Sequence, residues 1–152
     1  MPISTQGNSV QSSYNTALQI GAGLSVIAAL LHIGCIAGGP AWYRFFGAGE
    51  RIARQAEEGS WRPALITSGI IIILLVWAGY ALSAAGMLPR FPLLKIGIAA
   101  ITAVYLLRGL VLVPVLLSRS QRATPFVVWS SLICLGFGAV HLLGVVQVWA
   151  SL

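Results

Sequence analysis

Arg108 has the residue type and position best suited to chemistry in this chain. It stands in an apolar stretch, 92–118, about 15 residues from one end and about 10 from the other, which is too deep for easy escape to a membrane surface. Burying an arginine there costs about 2.5 kcal/mol or more, so its side chain should face the bundle interior, a partner or water. One interpretation is structural: Arg108 binds carbonyls such as those freed by Pro114, or its side chain extends to the lipid headgroups. The other is functional: Arg108 is a fixed positive charge for an anionic ligand, a lipid headgroup or a quinone oxygen.

Four further polar residues are candidates to share a ligand-binding pocket with Arg108. His32 lies about seven residues from the end of its own apolar stretch, so its depth approaches that of Arg108. Thr67 and Ser131 belong to the same half of the membrane, and Glu50 is placed to hold Arg108 until the ligand arrives. Because a hydroxyl can also satisfy itself on its own helix backbone, a purely structural role stays open for Thr67 and Ser131.

Other chemistries fit the sequence less well. An axial haem pair needs nearly equal heights, whereas His32 and His141 are expected to differ in depth by about 12 Å. The apolar stretches contain neither Asp nor Glu, which disfavours a pump, and HExxH is absent. Cys35 and Cys134 form no CxxC pair and are expected to stay reduced. The sequence leans against an enzyme and predicts neither metal nor cofactor, with a haem- or quinone-binding anchor as an alternative.

The residues around these side chains are mostly apolar. Hydrophobic types make up 58% of the 152 residues and charged types 8%, against roughly 25% charged in an ordinary soluble domain. These few charged side chains cannot cover the surface of a soluble domain of this size. The solvent around the protein must therefore be mostly lipid. The composition also argues against a nucleic-acid binder, a disulfide scaffold and a disordered chain.

Four stretches are long enough to cross a hydrocarbon core about 30 Å thick as helices: 17–39, 63–86, 92–118 and 125–150. Gly39 and Pro40 are expected to stop the first, Pro63 to open the second and Pro114 to bend the third. The cytoplasmic segment 40–62 predicts a short interfacial helix. We therefore expect an all-α fold with one domain over 1–152, an integral membrane four-helix bundle with an interfacial helix between spans one and two.

Small residues and positive charges indicate how the helices pack and how they are oriented. Gly34 and Gly38 form a GxxxG pair, which favours either a contact within the bundle or a seam between copies of the chain. The loops after spans one and three carry six arginines against two basic residues on the other side, Arg90 and Lys95. For a protein of a bacterial inner membrane, the location we expect, the positive-inside rule therefore predicts segment 40–62 in the cytoplasm and both termini in the periplasm.

The run 39–51, GPAWYRFFGAGER, is followed by 80–86, YALSAAG, and by 105–109, YLLRG. Together these segments resemble uncharacterised small four-span inner-membrane proteins of bacteria. The resemblance covers most of the chain and implies a fold and a location, but no activity.

Three functional hypotheses follow. In the first, the protein binds or passes a small anionic or lipid-like ligand around Arg108, with membrane lipids as partners and a homo-oligomer possible. In the second, it is a non-catalytic subunit or scaffold of a larger membrane complex that docks through residues 42–59. The third is the haem- or quinone-binding anchor. A nucleic-acid partner is not expected.

Overall fold

The computed structural model describes residues 14–117 and 125–152. Its elements are all helices: α1 (Thr16–Phe45), α2 (Glu50–Glu57), α3 (Arg62–Ala84), α4 (Leu94–Leu110), α5 (Leu112–Leu117) and α6 (Pro125–Val148). Residues 1–13 and 118–124 lie outside this description, and with them the predicted end of span three and Arg119 and Arg122 of the charge count. The all-α fold with a short helix between the first two spans is confirmed.

Four segments of the described chain are long and apolar enough to cross a membrane: Thr16–Phe45, Arg62–Ala84, Leu94–Pro114 and Phe126–Val148. Their outward side chains are apolar, and Ile72, Leu107 and Val146 are each more than 60% exposed. Apolar surface of this extent requires lipid around it. The structure therefore supports a multi-pass membrane protein.

The first helix does not stop at Gly39, which corrects the expectation from the sequence. Gly39 adopts φ 63° and ψ −147° inside α1, and the helix resumes with Pro40. Only glycine takes up this backbone readily, and a residue before proline is driven away from helical geometry. The result is a kink, and the helical turns beyond it carry Trp42, Tyr43 and Arg44.

The kink also settles what the GxxxG pair contacts. A Cβ placed on Gly34 or Gly38 would lie 2.7 or 2.1 Å from the indole of Trp42. The two glycines thus make room for a side chain of their own helix. The sequence had predicted that they would contact another helix.

Helix α2 lies beside the kink. Ala53 is fully buried against Cys35 and Tyr43, while Ile52 and Ala56 pack at the edge of the same cluster. The charged face of α2 points away from this contact, as the predicted interfacial helix requires. We call this end of the bundle, which also holds the start of α6, the α2 end.

Proline positions explain the remaining boundaries. Pro63 stands in the first turn of α3, where its missing N–H is not needed. Pro114 cannot donate to the carbonyl of Leu110, and the third span accordingly divides at Val111 into α4 and α5. The bend predicted near Pro114 therefore begins one turn before the proline itself.

Candidate functional site

Helices α4 and α6 approach closely at the level of Arg108. A Cβ on Gly109 would lie 2.8 Å from the backbone nitrogen of Leu135, and one on Gly138 would lie 2.6 Å from Leu106. Such small residues let two helix backbones meet in lipid, where no hydrophobic effect drives them together. The contact brings Arg108 within reach of the first turns of α6.

The guanidinium of Arg108 donates to two neighbouring hydroxyls on α6. Its Nη1 lies 3.2 Å from Ser131 Oγ and its Nη2 lies 3.1 Å from Ser130 Oγ. A guanidinium has five N–H donors, so three remain for another group. Ser131 is fully buried, whereas the Arg108 residue as a whole is exposed. The side chain therefore does not point into the bundle interior; it lies across the α4–α6 contact with one edge open.

Among the described residues, no carboxylate compensates the charge of Arg108. Within residues 14–117 and 125–152, the salt bridges join Arg44 to Glu50 and Glu57, and none reaches Arg108. Serine hydroxyls orient a guanidinium but carry no negative charge. A positive charge on a membrane-spanning helix without a counter-charge is costly, so an anion from outside the chain would be stabilised there.

Glu50 binds Arg44 and not Arg108, the arginine that its predicted role requires. Arg44 Nε and Nη2 each lie 3.0 Å from the Glu50 carboxylate, and Arg44 Nη1 lies 2.7 Å from Glu57. Hydrogen bonds from Arg44 lower the pKa of the Glu50 and Glu57 carboxyls below the usual range. This exposed network joins the end of α1 to α2 and leaves Glu50 engaged away from Arg108.

His32 and Thr67 line a cavity of about 320 Å³ at the α2 end. The cavity lies between α1, α3 and the beginning of α6, and the kink of α1 positions its polar wall. Tyr43 is turned inward by the kink and is 4% exposed. Its hydroxyl lies 3.2 Å from Thr67 Oγ1, which ties α1 to α3.

Phe126 closes the cavity from the side of α6. A Cβ on Gly47 would lie 2.2 Å from the ring of Phe126, so the aromatic ring rests directly on the glycine backbone. Gly47 also has φ 64°, a conformation that other residues rarely adopt. Both the turn and the close approach therefore require glycine at this position.

The structure thus distributes the five predicted site residues over three neighbouring groups. Arg108 and Ser131 meet, His32 and Thr67 share the cavity, and Glu50 belongs to the Arg44 network. The first two groups are adjacent, because Phe126 lies one helical turn, about 6 Å, before Ser130 on α6. Sequence reasoning missed Tyr43 and Phe126 as wall residues, since their inward direction depends on the kink and on the Gly47 contact.

The second histidine lies elsewhere in the bundle. His141 is fully buried, and its Nδ1 donates to the carbonyl of Phe137 at 2.8 Å. Its ring contacts Gly21 on α1, whereas His32 stands eleven residues further along that helix, about 16 Å away. The two imidazoles are therefore not placed to ligate one iron between them.

The described residues hold no set of three or more His, Cys, Asp or Glu side chains arranged for a metal ion. Comparison of the chain with models of protein families, with curated proteins and with solved structures finds no match.

Proposed function

We propose that the protein binds a small anionic or lipid-like ligand in the membrane, with Arg108 as the charge that holds the anionic group. The observation that carries this proposal is the arginine's environment: a spanning helix presents a guanidinium whose partners are the neutral hydroxyls of Ser130 and Ser131. The two serines fix the orientation of the guanidinium before any ligand arrives. Less conformational entropy is then lost when a phosphate or carboxylate binds.

The geometry suits an amphiphile in particular. The three unused N–H donors of Arg108 can form a paired contact with phosphate or carboxylate oxygens. The apolar surface beside them, with Leu107 at 65% exposure, is suited to an acyl chain. An anionic phospholipid supplies both parts, and the phosphate group is the chemistry it shares with free phosphate.

The test is retention of lipid by protein extracted in mild detergent. The wild type, reconstituted with phosphatidylglycerol and phosphatidylcholine, should keep phosphatidylglycerol in native mass spectra. Arg108→Gln should retain about tenfold less, as expected when a charged hydrogen bond is lost. Arg62→Gln removes an exposed arginine at the start of α3 and serves as the matched control, with unchanged retention.

Two further experiments identify the source of the anionic group and measure the contribution of the two serines. Competition by millimolar inorganic phosphate would show that the phosphate group alone suffices; its failure would assign the affinity to the whole lipid. Ser130→Ala with Ser131→Ala should weaken retention less than Arg108→Gln, because the charge remains. Equal retention by wild type and Arg108→Gln would refute the proposal and favour a non-catalytic subunit in which Arg108 only joins α4 to α6.

We further propose that the protein lies in a bacterial inner membrane with the α2 end in the cytoplasm and both termini in the periplasm. The support is the charge distribution, since Arg44, Arg51, Arg54 and Arg62 all cluster at the α2 end. In a background with Cys35 and Cys134 replaced by alanine, Ser151→Cys should react with an impermeant maleimide on intact spheroplasts. Ser60→Cys should react only after lysis, and the opposite pattern would reverse the orientation.

A further inference from the structure

We infer that the cavity lined by His32, Tyr43 and Thr67 binds a neutral, membrane-soluble aromatic hydroxyl compound, a phenol or a quinol, whose O–H group donates to the protein. This site is separate from the anion site proposed at Arg108, because Arg108 does not line the cavity. The inference rests on three features of the cavity: which hydrogen-bonding atoms are left over, what surrounds them, and how a ligand enters.

The nitrogen and oxygen donors of His32, Tyr43 and Thr67 are already used within the protein. His32 Nδ1 donates to the carbonyl of Ala28 at 2.7 Å, so in the neutral ring Nε2 is a bare acceptor. Thr67 donates to the carbonyl of Pro63 at 2.8 Å, so the Tyr43 hydroxyl must donate to Thr67. What remains for a ligand is the lone pair of His32 Nε2, that of Tyr43 Oη and the thiol of Cys35, which is only a weak donor.

A cavity wall that presents hydrogen-bond acceptors favours a ligand that carries a hydrogen-bond donor. A phenol or quinol presents O–H donors, whereas a quinone or an ether presents acceptors only. An acidic ligand that loses its proton would bring a negative charge against two acceptor lone pairs, which is unfavourable in a low-dielectric site. The cavity is therefore selective for the neutral hydroxyl form.

The remainder of the cavity suits a single ring. Its volume of about 320 Å³ is roughly twice the 150 Å³ that holds benzene in an engineered protein core. Phe126 supplies an aromatic wall and Ile66 and Ile70 an aliphatic one. Such a mixture of apolar walls with a few polar atoms is typical of small-molecule sites.

A ligand reaches the cavity from the lipid. Ile66 and Ile70 line it and are also exposed, at 56% and 38%, on the outer face of the spanning helix α3. A compound dissolved in the bilayer can therefore reach the cavity sideways, past this face of α3. This route favours an apolar ring over a water-soluble solute.

The decisive experiment compares a ligand that carries the O–H donor with its methyl ether, in which a methyl group replaces the hydroxyl hydrogen. The full chain in detergent micelles is titrated with 2,3,5-trimethylphenol and with its methyl ether, 2,3,5-trimethylanisole, after correction for partition into empty micelles. We expect the phenol to bind about tenfold more tightly, as for one hydrogen bond in a site with unpaired acceptors. Equal affinities, or no saturable binding of either compound, would overturn the inference and leave lipid or detergent chains as the occupants.

Variants then locate the acceptor. His32→Leu and Tyr43→Phe should each reduce the preference for the phenol, and His32→Gln should restore it in part, because its amide oxygen also accepts. Tyr14→Phe, at the opposite end of the bundle, is the matched control. Arg108→Gln should leave phenol binding unchanged, which separates this site from the proposed anion site. If the phenol preference survives both His32→Leu and Tyr43→Phe, the assignment of the cavity is wrong.

Discussion

The imidazole of His141 lies so close to Gly21 that a Cβ on the glycine would stand 2.8 Å from Cε1 and 3.1 Å from Nε2. The contact joins α1 to α6 at a fully buried position. Tyr105 also packs against the imidazole, with ring centroids 5.1 Å apart, which limits the room for the ring to move.

Gly21→Ala should therefore destabilise the bundle. We expect a loss of about 1 to 2 kcal/mol, since inserting a methyl group into a packed core costs about this much. Gly23→Ala is the control on the same helix, because nothing lies within 4 Å of its Cβ position. Denaturation with SDS measures both; if the two variants lose the same stability, the His141 contact does not limit the packing of α1.

His141→Leu should leave stability nearly unchanged or raise it, because leucine is close to histidine in volume, whereas a larger ring would be forced against Gly21. His141 Nε2 is buried with no hydrogen-bond partner in the described chain, and an unsatisfied buried polar atom is unfavourable. The lost Nδ1 bond matters little, because the carbonyl of Phe137 still accepts from the helix backbone. The same SDS denaturation measures the change. A fall of more than about 2 kcal/mol would instead reveal a partner at Nε2, such as a buried water.

Ser25 and Tyr105 should show a positive coupling energy. The Ser25 hydroxyl donates to the carbonyl of Gly21 at 3.0 Å, so Tyr105 donates to Ser25 across 2.9 Å. Ser25→Ala leaves the phenol without its acceptor, whereas adding Tyr105→Phe removes the unsatisfied group as well. A double-mutant cycle on unfolding free energies should give about 0.6 to 1.7 kcal/mol. Additive losses would show that the two hydroxyls do not interact in the membrane.

The ion network around Arg44 should weaken as the pH falls. The pKa values of Glu50 and Glu57 are lowered in the folded chain, so the network contributes stability above the usual carboxyl pKa and loses it as the pH falls through the lowered values. We expect thermal stability to decline modestly below about pH 4.5. Arg44→Gln should flatten this decline. An equally steep decline in Arg44→Gln would assign it to other groups.

The broad architecture follows from local sequence. A run of about 20 apolar residues must become a helix in lipid, because every backbone N–H and C=O has to be satisfied within the segment. Local sequence also predicts that the third span bends near Pro114 and that a short polar helix forms in segment 40–62. These features depend only on neighbours in the chain, so composition and spacing predict them.

The kink of α1 shows where sequence reasoning fails. Gly39 followed by Pro40 indicates an interruption, but a stop and a bend have the same local signature. The helix resumes because Tyr43 reaches Thr67 and Ala53 packs beneath the bend, contacts between residues far apart along the chain. Local propensity contains no information about those partners.

The sequence alone predicts four candidate membrane spans, a short helix between the first two, and the need of Arg108 for a partner. The tertiary structure decided that this partner is a pair of serines on α6, that Glu50 binds Arg44, and that His32 lines a separate cavity together with Tyr43 and Thr67. The reason is geometric. Side-chain depth can be counted along a helix, but the direction of a side chain depends on how each helix is rotated and bent against the others.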